Sequence, residues 1–231
     1  SKRFGDTSLS EFRAKGYLPE AMLNFLTLLG WSYSGDQDLF SPAEAMERFR
    51  IEDVKPSAAY WNQDKLDWMN GIYIRRLVPE DLAARLLPFF QRAGLPATEQ
   101  ELRALVPLIQ ERIGRLDEAV ELLDFFWREQ VTPQTAELIP RKMDAAGAAE
   151  VLGTARERLA GLVAWEPAAI ESDLRSMAEE RGWKPGAAFQ PLRVAVTGKT
   201  VAPPLFETLA HLDRGLVLER LGAAARLLAE G

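Results

Sequence analysis

One cluster of basic side chains in this acidic chain has the chemistry to bind phosphate groups. From residue 181 to residue 206 the sequence carries cations and no aspartate or glutamate. The cations are Arg181, Lys184, Arg193 and Lys199. A lysine and arginine cluster can bind the phosphates of a nucleic acid even in an acidic protein, because the attraction depends on local charge. The alternative is a chance run of cations on a solvated surface, and the sequence alone leaves both interpretations open.

The other polar residues offer little for acid–base or metal chemistry. The neighbouring carboxylates at 52–53 and 179–180 are expected to be solvated surface charges. His211 is the only histidine, and we expect it on a helix surface or in the core and not as a proton shuttle. Because the chain has no cysteine, disulfides and thiolate metal sites are excluded, and we expect no bound metal.

The composition is that of an ordinary globular protein. Of the 231 residues 47% are hydrophobic and 27% are charged, and the formal net charge is −6. No apolar run approaches the length of about 18 residues that suggests a membrane span, and the N-terminus lacks the pattern of a signal peptide. The lack of cysteine fits a reducing compartment. We therefore expect a cytoplasmic protein with no membrane association.

The elements that position these side chains are predicted to be helices. Apolar residues recur every three or four positions, and alternating strand patterns are nearly absent. We therefore predict an all-α fold of about ten to twelve short helices. Three prolines, Pro88, Pro107 and Pro191, lie inside helical patterns and are expected to end or kink them. Four sites have the residue pattern of a helix start: Ser8-x-x-Glu11, Ser41-Pro42, Thr98-x-x-Glu101 and Thr132-Pro133.

Turn-forming residues suggest two boundaries, one near residues 77–79 and one around residues 144–149. The helical pattern that ends at the first boundary contains Gly71. A glycine inside a helix costs about 1 kcal/mol relative to alanine. We therefore expect a neighbouring backbone to approach Gly71 closely.

Three stretches of the sequence resemble one protein family. They are "SKRFGDTSLSEFRAKGYLPEAMLNFLTLLGWS", "KLDWMNGIYIRRL" and "QPLRVAVTGKTVAPPLFETLAHL". Together they resemble the C-terminal half of bacterial glutamyl-tRNA synthetase, a class I aminoacyl-tRNA synthetase, and the resemblance covers essentially the whole chain. It implies a stem-contact helical region at 1–77 and two helical anticodon-binding subdomains at 78–144 and 145–231. Related glutaminyl enzymes of bacterial type end in β-barrels, which the helical pattern here opposes.

The resemblance also bears on catalysis. Ser1, Lys2 and Arg3 are similar to the last residues of the KMSKS-type loop, in which the family assigns the lysine to the ATP phosphates. No HIGH-type motif occurs in the sequence. We therefore expect a fragment that is not catalytic alone and binds no cofactor. The full-length enzyme is expected to use ATP, Mg²⁺ and L-glutamate.

The resemblance implies contacts with tRNA for four arginines. Arg193 matches a position used in anticodon-loop binding, and Arg175 lies at the place of a phosphate contact. Arg112 matches the arginine that faces the third anticodon base, with Arg115 as the reserve candidate and Glu111 as a possible surface ion-pair partner. Arginine carries only donors, so it suits the N3 and O2 acceptors of cytosine and not the N1–H and N2–H donors of guanine. The expected partner is tRNA(Glu), bound by a monomer.

Simpler interpretations stay open at this point. Arg175 could form a surface salt bridge with Asp173 or Glu179. The alternative function for the whole chain is a helical protein-interaction module with no role in RNA binding. The two functions differ in surface charge, since RNA binding is expected to need Arg112, Arg175 and Arg193 on one connected face.

Overall fold

The structure is a computed structural model that describes residues 8–33, 37–55 and 60–230. Over these residues it contains thirteen α-helices, two short 3-10 helices and no β-strand. The predicted all-α fold is confirmed, with slightly more helices than expected. The chain divides into two compact units between Glu121 and Leu122. The finer division into three parts, with boundaries near residues 77 and 144, stays a prediction.

The first unit is a set of short helices packed in pairs. They are α1 (Leu9–Lys15), α2 (Pro19–Leu28), α3 (Pro42–Arg48), α4 (Gln63–Arg76), α5 (Pro79–Arg92) and α6 (Glu99–Ile109), with a 3-10 helix at Ile51–Asp53, and α7 (Glu118–Leu123) follows them. Helix α2 packs against α3 and α4, and α5 packs against α6. These contacts bury Leu66, Leu82 and Leu102 completely.

Reciprocal side-chain caps, or capping boxes, start three of these helices. Ser8, Ser41 and Thr98 each accept a hydrogen bond from the backbone N–H three residues later, and the glutamate at that position accepts the N–H of the cap residue. Each such cap stabilises its helix by about 1 kcal/mol. The three corresponding helix starts were predicted from sequence and are confirmed.

The fourth predicted start was wrong. Residues 132–133 lie in a loop, and α8 (Thr135–Leu138) begins after Gln134, which makes no side-chain cap. A threonine followed by proline is a strictly local pattern. Here it is not followed by the periodic apolar residues that a longer helix needs in order to pack.

Three prolines that were expected to end or kink helices lie inside helices that continue past them, so none of the three ends its helix. Pro88 is in α5, Pro107 is in α6, and Pro191 is in α11 (Pro185–Thr197). A proline removes one backbone hydrogen bond and adds a ring clash, at a cost of about 3 kcal/mol. Buried residues on both sides of the proline, such as Leu86 and Phe90 in α5, offset this cost because their packing holds the helix together.

The second unit is built around one long helix pair. After a 3-10 helix at Asp124–Trp127 come α8, α9 (Ala145–Gly161), α10 (Pro167–Glu180), α11, α12 (Leu205–His211) and α13 (Arg214–Glu230). Helix α9 packs along α13, and α11 packs against both. Their shared core includes Leu152, Leu192 and Leu221, all fully buried. None of the helices described in either unit is both long enough and apolar enough to cross a membrane.

A buried arginine links three segments of this second unit. Arg220 on α13 is only 4% exposed. Its Nη1 donates to the carbonyl of Val196 at 2.7 Å, and its Nη2 donates to the carbonyls of Phe125, at 2.9 Å, and Arg128. Its Nε has no hydrogen-bond partner among the described residues. Burial lowers the pKa of this guanidinium. Arg220 therefore attaches α13 to the end of α11 and to the 3-10 helix.

Candidate nucleic-acid interface

Arg112 lies on an exposed turn directly after α6. Its backbone N–H donates to the carbonyl of Ile109, the last residue of the helix, at 2.8 Å. Its side chain is exposed and has no hydrogen-bond or ion-pair partner among residues 8–33, 37–55 and 60–230. Glu111, the neighbour that could have paired with it, instead approaches Arg75, with 3.9 Å between Oε2 and Nε. The guanidinium of Arg112 therefore keeps its donors available for a ligand.

The reserve candidate, Arg115, is held by two carboxylates. Its side chain is 30% exposed, with Nε 3.1 Å from Oδ1 of Asp117 and Nη1 3.2 Å from Oε1 of Glu118. Burial lowers the pKa of Arg115, but the two carboxylates outweigh this effect and the net pKa is raised. The structure thus separates two arginines that the sequence could not. Of the two, only Arg112 presents an uncommitted guanidinium.

The turn that carries Arg112 is attached to α4 on both sides. The side-chain amide of Gln110 donates to the carbonyls of Ile74, Arg75 and Leu77, at 3.0, 3.3 and 2.8 Å. Beyond Arg112, residues 114–117 form the loop before α7, and this loop contacts α4 and the turn after α1. Sequence analysis did not identify Gln110 as important. The available signal was a glutamine directly after an amphipathic helix, because a side-chain amide there can donate to the last carbonyls of a neighbouring helix.

Residues 114–118 pack against the turn after α1. The side chain of Asn70, fully buried on α4, donates to the carbonyl of Gly114 at 2.6 Å and accepts the N–H of Leu18 at 2.8 Å. The N–H of Leu116 donates to the carbonyl of Gly16 at 3.2 Å. Gly16 has φ 87°, and a Cβ there would lie 2.6 Å from the backbone N of Leu116. This position therefore requires glycine.

The close approach expected at Gly71 is not found. A Cβ at that position would meet the guanidinium of Arg75 at 3.1 Å, which is the end of a flexible side chain on the same helix and not a neighbouring backbone. The prediction was wrong because a glycine inside a helix shows only that a side chain is lacking there. It does not show which element comes close.

In the second unit, Arg193 lies inside α11, which continues through Pro191, so this proline does not place Arg193 at a helix start. It is half-buried, and its Nη1 donates to the carbonyls of Ala202, at 3.2 Å, and Pro203, at 2.8 Å. These bonds hold the 198–204 loop against α11. Arg193 therefore has a structural role, because its side chain holds the 198–204 loop in place.

Arg175 on α10 is the more accessible of the two predicted contacts in this unit. Its side chain is 52% exposed, and its Nε and Nη2 both lie 2.7 Å from Oε1 of Glu171. The guanidinium also lies 5.9 Å from the ring centroid of Phe189 and 5.7 Å from that of Phe206. The ion pair is formed with Glu171 and not with either carboxylate considered from the sequence. Glu171 and Glu179 both lie one helical turn from Arg175, and the order with the acidic residue on the N-terminal side, as in Glu171–Arg175, is the more favourable one on a helix. Asp173 pairs with Arg158 instead.

The cluster of basic side chains at residues 181–206 is partly neutralised in the folded chain. Arg181 forms an ion pair with Glu150, and Nζ of Lys199 lies 2.6 Å from Oδ1 of Asp124. Lys184 is exposed at the N-cap of α11. Two of the four cations that are close together in sequence are therefore balanced by carboxylates from distant segments.

The remaining predicted groups have ordinary surroundings. His211 is exposed at the end of α12, with Nδ1 2.9 Å from the carbonyl of Glu207. The carboxylates at 52–53 and 179–180 are exposed. Within the described parts of the chain, no group of three or more potential metal ligands is close enough to hold an ion. The predicted ATP-phosphate residues Ser1, Lys2 and Arg3 lie outside the described residues.

Comparisons with known proteins identify the family. Residues 81–225 match the family described as "Anticodon binding domain", and residues 1–68 match "tRNA synthetases class I (E and Q), catalytic domain". A glutamate–tRNA ligase of Roseiflexus castenholzii is 50% identical over 235 residues, which cover 99% of this chain and 46% of that protein. The glutamate–tRNA ligase of Chloroflexus aurantiacus is 48% identical over 237 residues, with coverages of 99% and 47%.

Solved structures give the same fold. A glutamate tRNA ligase of Elizabethkingia meningosepticum, crystallised with its amino acid, superposes with a TM-score of 0.83 at 18% identity and covers 98% of this chain and 47% of that one. A glutamate-tRNA synthetase of Elizabethkingia anophelis gives a TM-score of 0.79, also at 18% identity, over 97% of this chain and 46% of that one.

The chain spans about half the length of the curated relatives that it matches. None of the relatives described above is a protein-interaction module, so the alternative function gains no support. The family match covers most of the chain and includes Arg112, Arg115, Arg175 and Arg193. The chain therefore belongs to the anticodon-binding domain family of class I tRNA synthetases for glutamate and glutamine, with a short segment of the catalytic-domain family at residues 1–68.

Proposed function

We propose that this chain binds the anticodon loop of tRNA(Glu), as part of a ligase that attaches L-glutamate to that tRNA with ATP and Mg²⁺. The observation that carries the proposal is the exposed, uncommitted guanidinium of Arg112 at the end of α6, inside the segment that matches the anticodon-binding family. The curated relatives are glutamate–tRNA ligases, and the same activity is proposed for the protein to which this chain belongs.

Arg112 is proposed to read the third anticodon base. A guanidinium can donate two parallel hydrogen bonds to N3 and O2 of cytosine, whereas guanine presents N–H donors at the corresponding edge. The anticodons for glutamate and glutamine differ at this base, C against G. A donor facing a donor leaves both groups without a partner, at a cost of about 1–3 kcal/mol. Arg112 therefore favours the tRNA for glutamate.

Each unit is proposed to contribute to tRNA binding. The candidate in the first unit is Arg112, with Arg115 in reserve. In the second unit Arg193 is proposed to contact the anticodon loop beside the 198–204 segment that it holds in place, and Arg175 is proposed to contact a phosphate. The exposure of Arg175 supports this contact, although its pair with Glu171 offsets part of its charge. The finer division into a stem-contact region, 1–77, and two anticodon-binding subdomains, 78–144 and 145–231, is part of this proposal.

Catalysis is assigned to the whole ligase and not to these 231 residues alone. The sequence contains one histidine, His211, and no HIGH-type motif, and its match to the catalytic-domain family is confined to residues 1–68. Ser1, Lys2 and Arg3 are proposed to act on the ATP phosphates when the rest of a catalytic domain is present. We also propose that the chain is monomeric and acts in the cytoplasm.

The test is binding to two tRNAs that differ only at the third anticodon base. We expect the chain to prefer the C-ending anticodon, and we expect Arg112→Gln to reduce the ratio of the two dissociation constants by about tenfold or more. Glutamine has both a donor and an acceptor, so it can serve either base. Fluorescence anisotropy with labelled tRNA measures both constants.

The matched control is Arg103→Gln, an exposed arginine on α6 whose Nη1 lies 3.6 Å from Glu80. It removes one positive charge from the helix that precedes Arg112 and should leave the ratio unchanged. Equal affinity of the unmutated chain for both tRNAs would contradict the assignment of Arg112. A change in the ratio with Arg115→Gln but not with Arg112→Gln would transfer the role to the reserve residue.

A further inference from the structure

The segment that carries Arg112 has little backbone freedom, because α4 binds it before and after that residue. Gln110 precedes Arg112 by two residues, and its amide nitrogen lies 2.8–3.3 Å from three carbonyl oxygens at the end of α4. The carbonyl of Arg75 belongs to the group that a helix leaves without internal donors at its C-terminus, the carbonyl of Leu77 lies just beyond the helix, and the carbonyl of Ile74 also accepts the N–H of Leu77. The Gln110 amide satisfies them and fixes the start of the turn.

Asn70 fixes the other end of the segment. Its side chain is fully buried, donates to the carbonyl of Gly114 at 2.6 Å and accepts the N–H of Leu18 at 2.8 Å. Ile113, between Arg112 and this contact, is also buried, at 1% exposure. Buried polar groups with partners on both sides resist movement, because losing either bond costs the full desolvation of the group left behind.

Arg112 is therefore an exposed side chain on a fixed backbone. Discrimination between two bases by paired hydrogen bonds depends on geometry, since such bonds weaken steeply as the angle falls and the distance grows. A guanidinium on a mobile turn could reach other acceptors on the wrong base. A guanidinium on a fixed turn faces the edge of the base in one orientation, so it meets either the acceptors of cytosine or the donors of guanine.

We propose that Gln110 and Asn70 are positioning residues for base discrimination: they hold residues 110–114 so that Arg112 presents its guanidinium in one orientation. This inference rests on the proposed role of Arg112 in reading the third anticodon base. It adds that the selectivity of the chain depends on residues that do not contact RNA themselves, and that these residues act through Arg112.

The central variant is Gln110→Glu, which keeps the shape of the side chain but places an oxygen where the amide donor faced three carbonyls. We expect the ratio of dissociation constants for the G-ending and C-ending tRNAs to fall by about fivefold or more, within the range that a paired base contact provides. Gln110→Lys restores N–H donors toward the same carbonyls and should keep most of the ratio. The charge that glutamate or lysine adds at position 110 changes the affinity for both tRNAs alike, so its effect cancels in the ratio.

The matched control is Gln100→Glu, which makes the same change of charge at an exposed position on α6. It should leave the ratio unchanged. In an Arg112→Gln background, Gln110→Glu should produce no further change in the ratio, because the positioning residue would have no guanidinium left to orient. Far-UV circular dichroism checks that each variant is folded, and if Gln110→Glu does not fold, the ratio is measured on the uncharged Gln110→Met, for which the same decrease is expected.

Two results separate this inference from the function on which it rests. If the unmutated chain binds both tRNAs equally, the role of Arg112 fails first, and the inference fails with it. If the unmutated chain discriminates and Arg112→Gln abolishes the discrimination, but folded Gln110 variants keep the full ratio, only the positioning inference is overturned. A Gln110 variant that weakens both tRNAs equally, with the ratio intact, overturns it in the same way.

Discussion

Replacing Gly16 with alanine should destabilise the first unit by much more than an ordinary glycine-to-alanine change. Gly16 has φ 87°, a left-handed conformation that costs an alanine about 1–2 kcal/mol. The new Cβ would lie 2.6 Å from both the N and the Cβ of Leu116. Because one of these contacts is to backbone, the 114–117 loop has to move, and such overpacking costs about 1–3 kcal/mol.

The movement also breaks the hydrogen bond from the N–H of Leu116 to the carbonyl of Gly16, 3.2 Å long, which is worth about 1 kcal/mol. The three contributions together give a loss of about 3–6 kcal/mol in the free energy of unfolding. Urea unfolding followed by tryptophan fluorescence and by circular dichroism measures this loss.

Gly94→Ala provides the matched control within the same unit. Gly94 has φ 71°, and no heavy atom of the described residues lies within 4 Å of an added Cβ. Alanine there carries the conformational cost alone, about 1–2 kcal/mol. A loss for Gly16→Ala no larger than the loss for Gly94→Ala would refute the steric argument and with it the described contact between the two loops.

Three further predictions concern salt, acid and catalysis. Arg175→Ala should weaken binding to all RNAs alike and flatten the log–log slope of affinity against salt by about one unit; an unchanged slope in a salt titration would contradict the phosphate contact. Arg85 donates to both carboxylate oxygens of Glu20 and lowers the pKa of that carboxyl. The pair between Arg85 and Glu20 therefore stabilises the fold above the unfolded-state pKa of about 4.3. This stabilisation is lost as pH falls through the lower pKa that Glu20 has in the folded state. Glu20→Gln should therefore flatten the loss of stability in acid, measured by urea unfolding between about pH 2 and pH 6. The purified 231-residue chain should not catalyse glutamate-dependent exchange of pyrophosphate into ATP, and radiolabelled pyrophosphate measures this directly.

Sequence analysis succeeded where structure depends on residues a few positions apart. The caps at Ser8, Ser41 and Thr98 were visible because cap and partner lie three residues apart, and packing then kept these helices in place. The continuity of α5 through Pro88 was not visible, because the packing that offsets the proline comes from other helices. Local rules fail at that point since tertiary contacts outweigh a cost of about 3 kcal/mol.

The candidate site shows the same limit. Arg181 and Lys199 belong to the cluster of basic side chains that the sequence shows at residues 181–206, but their carboxylate partners lie 31 and 75 residues away in sequence. No local pattern indicates such pairs. Sequence did not decide between Arg112 and Arg115 for a different reason. The carboxylates that hold Arg115, Asp117 and Glu118, lie only two and three residues after it, but Arg112 also has a carboxylate beside it in Glu111, and the local fold decides which of these charges meet. Gln110 was overlooked because its three acceptors lie on a different helix.

The bonds made by Arg220 have a consequence for synthesis of the chain on the ribosome. Its partner carbonyls at Phe125 and Arg128 are made 95 and 92 residues earlier. Chains are synthesised at about 5–20 residues per second, so roughly 5–19 s pass between synthesis of the 3-10 helix and synthesis of Arg220, which binds its carbonyls. During that interval α9 and α11 lack α13, the helix that covers their apolar faces. A ribosome that stalls before residue 214 leaves a nascent chain with this surface uncovered, which is the feature that chaperones and quality-control proteases bind.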